Sequence, residues 1–579
     1  MEKHTFSKIV DELIGLVSIE MYGVRGVLSG ERLLVAGLRE GATNIYSYDG
    51  SQLVKLNREP INGYVEAPYD ADKVVIFRDV SRGKEQSLIY VIDVDNPGVE
   101  KPLEGMQPAR IMGIAYDDER IAFTASTAEG NHLYIYRNGT LEKLADIQGL
   151  AMLTDIQGNL GIGIGWFGHP GGRFQLFQAD LETGEIRVLQ DPDGSVVSAK
   201  IAPSGNIVYA IETASRAELR GLEPGSGTYS KLSLSHDDLD NYEPRSFNWI
   251  GFTRDGKLVV VARKEGRSRI FIDGKHVEAP EGLHGAVYEW RGHLVTGYTS
   301  LSTPSVIIEI PSGKTLLSGS IPDYVYEALG NAGFTYVESF DGEKVPVFIL
   351  ESKRASKPGP TVVLVHGGPF SEDADAWDIF AASLALTGFH VIMPNYRGST
   401  GYGEAWRTKI VGDPCGGELE DITRSALWAK EHGLASDLYV MGYSYGGYMT
   451  MCSLTRKPGL YKAGVAGASV VDWEMMYELS DAAFRQFINL MFAGKKDLWK
   501  ERSPITYVDN LREPLCIIHP QNDSRTPLKP VLKFMELATE KGKTFEAHIA
   551  PDMGHAVTRI DDLIKLLLPA VLFLARTKD

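Results

Sequence analysis

The chain has 579 residues, more than one hydrophobic core accommodates, so two or more domains are expected. With 43% hydrophobic and 23% charged residues it reads as a soluble globular protein and not as a disordered one. A net charge of -17 argues against a general affinity for nucleic acid or for an anionic membrane.

In chain order, Met1-Glu2-Lys3-His4-Thr5 leads into a segment broken by Asp11 and Glu12, so no signal peptide is expected. Phe6, Ile9, Val10, Leu13, Ile14 and Val17 fall at helical spacing and predict an amphipathic helix over residues 6–19. Its apolar face needs a partner, and residues 1–23 are expected to pack back on the C-terminal domain, with a second domain inserted between them. Residues 24–324 are strand-like. Seven runs share one form, an apolar strand followed by a glycine-containing turn and another strand, at Gly50, Gly98, Gly139, Gly184, Gly225, Gly274 and Gly313. Successive differences of 48, 41, 45, 41, 49 and 39 residues fit repeats of about four strands, which predicts a seven-bladed β-propeller.

From residue 325 to 579 strand-like runs alternate with helical ones, as in a mostly parallel sheet. Candidate strands are 361–366, 390–394, 438–442, 464–468, 515–519 and 545–550, preceded by an antiparallel hairpin turning at Asp341-Gly342. The apolar run Leu566 to Ala575 contains Pro569, is too short to span a bilayer and reads as a buried last helix. The three cysteines, Cys415, Cys452 and Cys516, form no CxxC and point to neither a zinc site nor a redox motif. Low cysteine usage suits a cytoplasmic location, with free thiols as the default and a Cys415–Cys452 bond as the alternative.

Three motifs carry the chemistry. Gly442-Tyr443-Ser444-Tyr445-Gly446 lies between a predicted strand and a predicted helix, where small residues permit the sharp turn that exposes a serine. Asn522-Asp523-Ser524-Arg525 and Asp552-Met553-Gly554-His555 follow in the order serine, acid, histidine. A serine hydroxyl needs an adjacent base, and the base needs an acid to orient it. Ser444, His555 and Asp523 are assigned those roles. Asp523 is preferred to Asp552 because it ends its own strand, and His555 to His366 and His519 because it sits in a Gly-His loop after a strand. Oxyanion donors are expected from the backbone of Tyr445 and from Gly368 in His366-Gly367-Gly368-Pro369.

With Asn395-Tyr396-Arg397-Gly398-Ser399-Thr400-Gly401-Tyr402-Gly403 and Asp523-Ser524-Arg525-Thr526-Pro527, these motifs make the whole chain resemble the prolyl oligopeptidase family of serine peptidases, which joins a propeller to an α/β-hydrolase domain. Within it the chain looks most like the archaeal-type acylaminoacyl peptidases. The resemblance implies release of N-acylated residues from short peptides with a blocked N-terminus, side activity on esters, a propeller that filters out folded proteins, and a homodimer, with no metal or organic cofactor. It also implies that Arg525 grips a substrate carbonyl and that Trp473, Phe484, Phe487 and Ile488 line an apolar pocket. No Glu-Glu dipeptide occurs, which argues against the dipeptidyl peptidase branch. Other peptidases of the family and a carboxylesterase are the rival enzymes. A non-catalytic propeller platform is the rival of another class.

Overall fold

The computed structural model describes residues 3–169, 171–189, 191–224, 229–231 and 238–578. Seven four-stranded antiparallel sheets follow one another between Met21 and Leu317. In the first blade the strands are Met21–Leu28, Arg32–Arg39, Ala42–Tyr48 and Leu53–Lys55, and in the last Leu283–Trp290, His293–Ser300, Thr303–Ile310 and Thr315–Leu317. Gly50, Gly98, Gly139, Gly184, Gly274 and Gly313 each turn the chain from a blade's third strand to its fourth, all at positive φ. Gly225 lies outside the described residues. First and last blades each keep their own four strands, so the ring closes through side chains: Tyr22, Val24, Leu33 and Tyr46 pack on Ala286, Tyr288, Trp290 and Ile307.

The C-terminal domain is an eight-stranded sheet with strands β1 Leu329–Glu338, β2 Lys344–Ser352, β3 Gly359–Val365, β4 His390–Pro394, β5 Ala435–Tyr443, β6 Gly464–Gly467, β7 Leu515–Pro520 and β8 Phe545–Ala550. Their order is β1-β2-β4-β3-β5-β6-β7-β8. The first hairpin and the β2–β4 pair are antiparallel and the remaining pairs parallel. Every residue of β4 and β7 is buried, as expected of strands covered on both faces. The connecting helices used below are α2 Ile379–Leu386, α3 Gly417–Glu431, α4 Tyr445–Arg456, α5 Trp473–Leu479, α6 Ala482–Met491 and α7 Ile560–Arg576.

The N-terminal helix, α1 Lys3–Val17, packs on this domain. Leu13, Leu16 and Val17 enter one core with Ala381 and Leu384 of α2 and Leu567 and Val571 of α7. Two details of the helix differ from expectation. The helix starts and ends earlier than 6–19. Leu16 takes the buried position while Ile14 is 40% exposed, because the buried face turns toward Glu12, which pairs with Arg354. The side chain of Phe6 lies outside the described residues. The 23/24 boundary falls inside the first propeller strand, and 324/325 falls inside the helix Asp323–Ala328, because the chain passes between the domains through ordered elements and not through a composition break.

The run Leu566 to Ala575 lies in α7, mostly buried. Among the described residues no helix is long and apolar enough to cross a membrane. The thiol default is corrected: Cys415 and Cys452 are joined by a disulfide with a Cα–Cα distance of 6.4 Å, and only Cys516 is free. Composition argues about compartments, whereas the packing of the loop before α3 against α4 brings these two sulfurs together.

Candidate active site

β5 ends at Tyr443, Ser444 follows as the single cap residue, and α4 begins at Tyr445. Ser444 has φ 61 and ψ -122, a strained conformation for a residue with a side chain. The turn is possible because its neighbours lack Cβ atoms: one at Gly446 would collide with the Val365 carbonyl, and one at Gly447 with that of Gly467. His555 Nε2 lies 2.9 Å from Ser444 Oγ and His555 Nδ1 2.7 Å from Asp523 Oδ2. Asp523 also accepts from the Arg525 N–H (2.9 Å), the Thr526 N–H (2.8 Å) and the Thr526 hydroxyl (2.8 Å). Burial opposes ionisation of this carboxyl, but His555 beside it and the Thr526 N–H hold its pKa below the ordinary value.

The two other candidate histidines hold loops. His366 stacks on Tyr396 with ring centroids 4.4 Å apart, and its Nε2 lies 2.8 Å from the Ser399 hydroxyl. Burial lowers its pKa to about 4, so it is neutral. His519 Nε2 donates to the Thr526 carbonyl at 2.8 Å, fixing the turn that carries Asp523. Asp552 points away, 3.7 Å from Arg82 on the surface.

Gly367 brings backbone against Ser444, since a Cβ there would meet the Ser444 Cβ at 3.3 Å. Gly368 follows at φ 118, a conformation that favours glycine. Tyr445, first residue of α4, carries one of the N–H groups that have no acceptor within the helix. These are the two places where the sequence put oxyanion donors.

Arg525 does not stand open. Its guanidinium grips Glu85 of the propeller, with Nε 2.9 Å from Oε2 and Nη2 2.5 Å from Oε1. Arg110 pairs with the same carboxylate and also reaches Asp481 Oδ2 (2.6 Å) and the Ser524 hydroxyl (3.0 Å). Burial works against ionised Glu85, yet the two arginines hold its pKa below the usual value. Sequence reasoning missed Glu85 and Arg110 because neither stands in a motif. The one local signal is the glycine in Arg82-Gly83, which marks a turn.

The expected pocket residues divide. Phe484 and Phe487 are partly buried on α6 with ring centroids 6.0 Å apart, and Phe370, which sequence reasoning missed, lies 6.5 Å from Phe487. Trp473 and Ile488 are corrected to core. Neither has accessible surface, and Trp473 is wedged between Tyr448 and Phe492 because α5 turns that face inward. A separate cavity of about 280 Å³ reaches Gly367 and Tyr443 from within the sheet domain, but its lining includes neither Ser444 nor His555.

A propeller beside a sheet domain in which a strained strand-to-helix turn offers a serine to a histidine–aspartate pair defines a propeller-bearing α/β-hydrolase of the serine type. Residues 377–577 match the model of the prolyl oligopeptidase family, and residues 34–308 match that of the acylamino-acid-releasing enzyme-like N-terminal domain. The chain belongs to the prolyl oligopeptidase family. It is 32% identical over 219 residues to dipeptidyl aminopeptidase BIII of Pseudoxanthomonas mexicana, covering 36% of this chain and 31% of that protein. It is 29% identical over 226 residues to the acylamino-acid-releasing enzyme of Homo sapiens, covering 37% of this chain and 31% of that one. The matches thus span about a third of the length of these curated relatives. The crystal structure of puromycin hydrolase superposes with a TM-score of 0.80 at 18% identity, over 98% of this chain and 96% of that one, which shows a shared fold.

Proposed function

We propose that this protein is a serine peptidase that releases N-acylated amino acids from the blocked N-termini of short peptides and also turns over activated esters. The observation that carries the reading is His555 held between Ser444 and Asp523 at 2.9 and 2.7 Å. Ser444 attacks the carbonyl of the acylated residue while His555 takes its proton. Asp523 orients the imidazole and stabilises its charged form. The N–H groups of Tyr445 and Gly368 receive the oxyanion. His555 then protonates the leaving amine, and water repeats the sequence on the acyl-enzyme. Phe370, Phe484 and Phe487 wall the side-chain pocket. No step calls on a metal or organic cofactor.

A second reading, an aminopeptidase that binds a free N-terminal amine, is favoured by Glu85, a propeller carboxylate at the site. Its charge, however, is already matched by Arg525 and Arg110. An ammonium arriving there competes with two guanidinium groups, whereas an uncharged acyl group does not, and this favours the blocked substrate. Comparing initial rates on N-acetyl-leucine p-nitroanilide and leucine p-nitroanilide decides between them: preference for the acetylated compound is expected, and preference for the free amine overturns the reading. A homodimer is part of the proposal and is tested by sedimentation. So is a cytoplasmic location, which rests on the use of three cysteines; the bonded pair argues the other way in a reducing compartment.

A further inference from the structure

The acid and the base stand beyond two neighbouring strands, Asp523 after β7 and His555 after β8. Upstream on those same strands lie Cys516 and His548. β7 and β8 pair in parallel, with Cys516 opposite Glu546 and Ile518 opposite His548. Side chains alternate along a strand, so Glu546 and His548 project from one face of β8, and Cys516, in register, projects from the same face of β7. A thiol sulfur, a carboxylate oxygen and an imidazole nitrogen therefore lie within 4.8 Å of one another.

We propose that Cys516, Glu546 and His548 form a binding site for a borderline divalent cation of the Zn²⁺ type, distinct from the serine chemistry. The donor set selects this class: sulfur and nitrogen suit zinc, while Mg²⁺ and Ca²⁺ require oxygen ligands. Tetrahedral zinc places its ligand atoms about 3–4 Å apart. The remaining gap closes by rotation of His548 and Glu546, whose side chains are 39% and 33% exposed and give the ion its path from solvent. Three protein ligands leave the fourth position to water.

The surroundings fit. His548 Nε2 donates to Glu546 Oε1 at 2.6 Å, and Arg576 at the end of α7 donates to Oε2 at 2.8 Å. With the ion bound, Nε2 and Oε1 turn to it and Arg576 keeps the carboxylate oriented. The thiol proton passes to solvent when the sulfur binds the ion. The ion would tie the edge strand β8 to β7, and the folded chain gains stability by mass action. The alternative is a buried cysteine acting as a small apolar side chain beside a surface ion-pair chain.

The test titrates the full chain with Co²⁺ without reductant, so that Cys415–Cys452 stays bonded and Cys516 is the one available thiol. One Co²⁺ per chain is expected, with a sulfur-to-cobalt charge-transfer band in the near ultraviolet and tetrahedral visible bands, all discharged by Zn²⁺. Cys516→Ser abolishes the charge-transfer band. His548→Ala and Glu546→Gln, at part-exposed positions, each weaken Co²⁺ binding roughly tenfold or more. Unchanged fluorophosphonate labelling of Ser444 certifies that each variant is folded. Zn²⁺ raises the thermal midpoint of the wild type and not of His548→Ala. Absence of the charge-transfer band in the wild type, its survival in Cys516→Ser, or unaltered Co²⁺ affinity in both of the other variants overturns the proposal.

Discussion

The two sides of the site are built differently. On the hydrolase side Ser444, Asp523 and His555 each follow a strand of one sheet, and their positions are set by that sheet and by short turns around them. On the propeller side Glu85 arrives on the loop between Lys73–Asp79 and Ser87–Asp93, where Arg82, Gly83 and Glu85 all have positive φ. Asp79 bonds the N–H groups of Ser81 and Gly83 to hold that loop, and Asn522 donates to the Arg82 carbonyl at 2.7 Å. Gly83 touches the backbone of Gly554, next to His555. The contrast teaches that the candidate bond-making groups come from one domain, while the charge and shape around Arg525 are supplied by the other.

The comparison breaks most sharply at the nucleophile. Ser444→Ala should lower kcat by roughly 10³-fold or more with KM little changed, because the propeller side is untouched. Steady-state kinetics on an acetylated anilide measures it. Gly83→Ala attacks the other side: a Cβ at φ 96 is strained and collides with Gly554, which displaces the loop carrying His555. A fall in kcat/KM of up to about 10²-fold is expected from such a misplacement. Wild-type kinetics in that variant would show the propeller contact to be incidental to chemistry.

The smallest effect concerns the buried contact between the domains. Glu372, after β3, pairs with Arg263 of the propeller, and burial, with Glu212 nearby, raises its pKa from 4.5 to about 7. The folded chain keeps this proton in a range where the unfolded chain has lost it. The resulting stability is complete below pH 4.5 and is lost as pH rises to about 7. Glu372→Gln cannot ionise, so the wild type should lose roughly 1–3 kcal/mol relative to it across that window. Denaturant unfolding at the two pH values reads the difference, and parallel curves would refute the assignment.

Much of the hydrolase side was legible beforehand. His390–Pro394 and Phe545–Ala550 were read at their observed ends, the first because a buried strand is a continuous apolar run and the second because Phe545, Ala547 and Ile549 alternate with Glu546 and His548 along a half-buried edge strand. The blade repeat was legible because six last hairpins among the described residues turn on a glycine at positive φ, at Gly50, Gly98, Gly139, Gly184, Gly274 and Gly313. Trp473 and Ile488 were misread, since an aromatic or aliphatic residue on a helix looks the same whether it faces a pocket or a core. Glu85 and Arg110 were invisible, as each is one charged residue among many, 359 and 334 positions from Ser444 in the sequence.

By itself the sequence determined the fold class and the repeat of the propeller and marked Ser444, Asp523 and His555 as the candidate serine, acid and base, because strand periodicity and tight turns are local requirements that leave local marks. Tertiary structure alone decided the Cys415–Cys452 bond, the clasp of Glu85 and Arg110 on Arg525, and the meeting of Cys516, Glu546 and His548. Each depends on bringing together segments that share no local pattern, and only the packing of one element on another sets those distances.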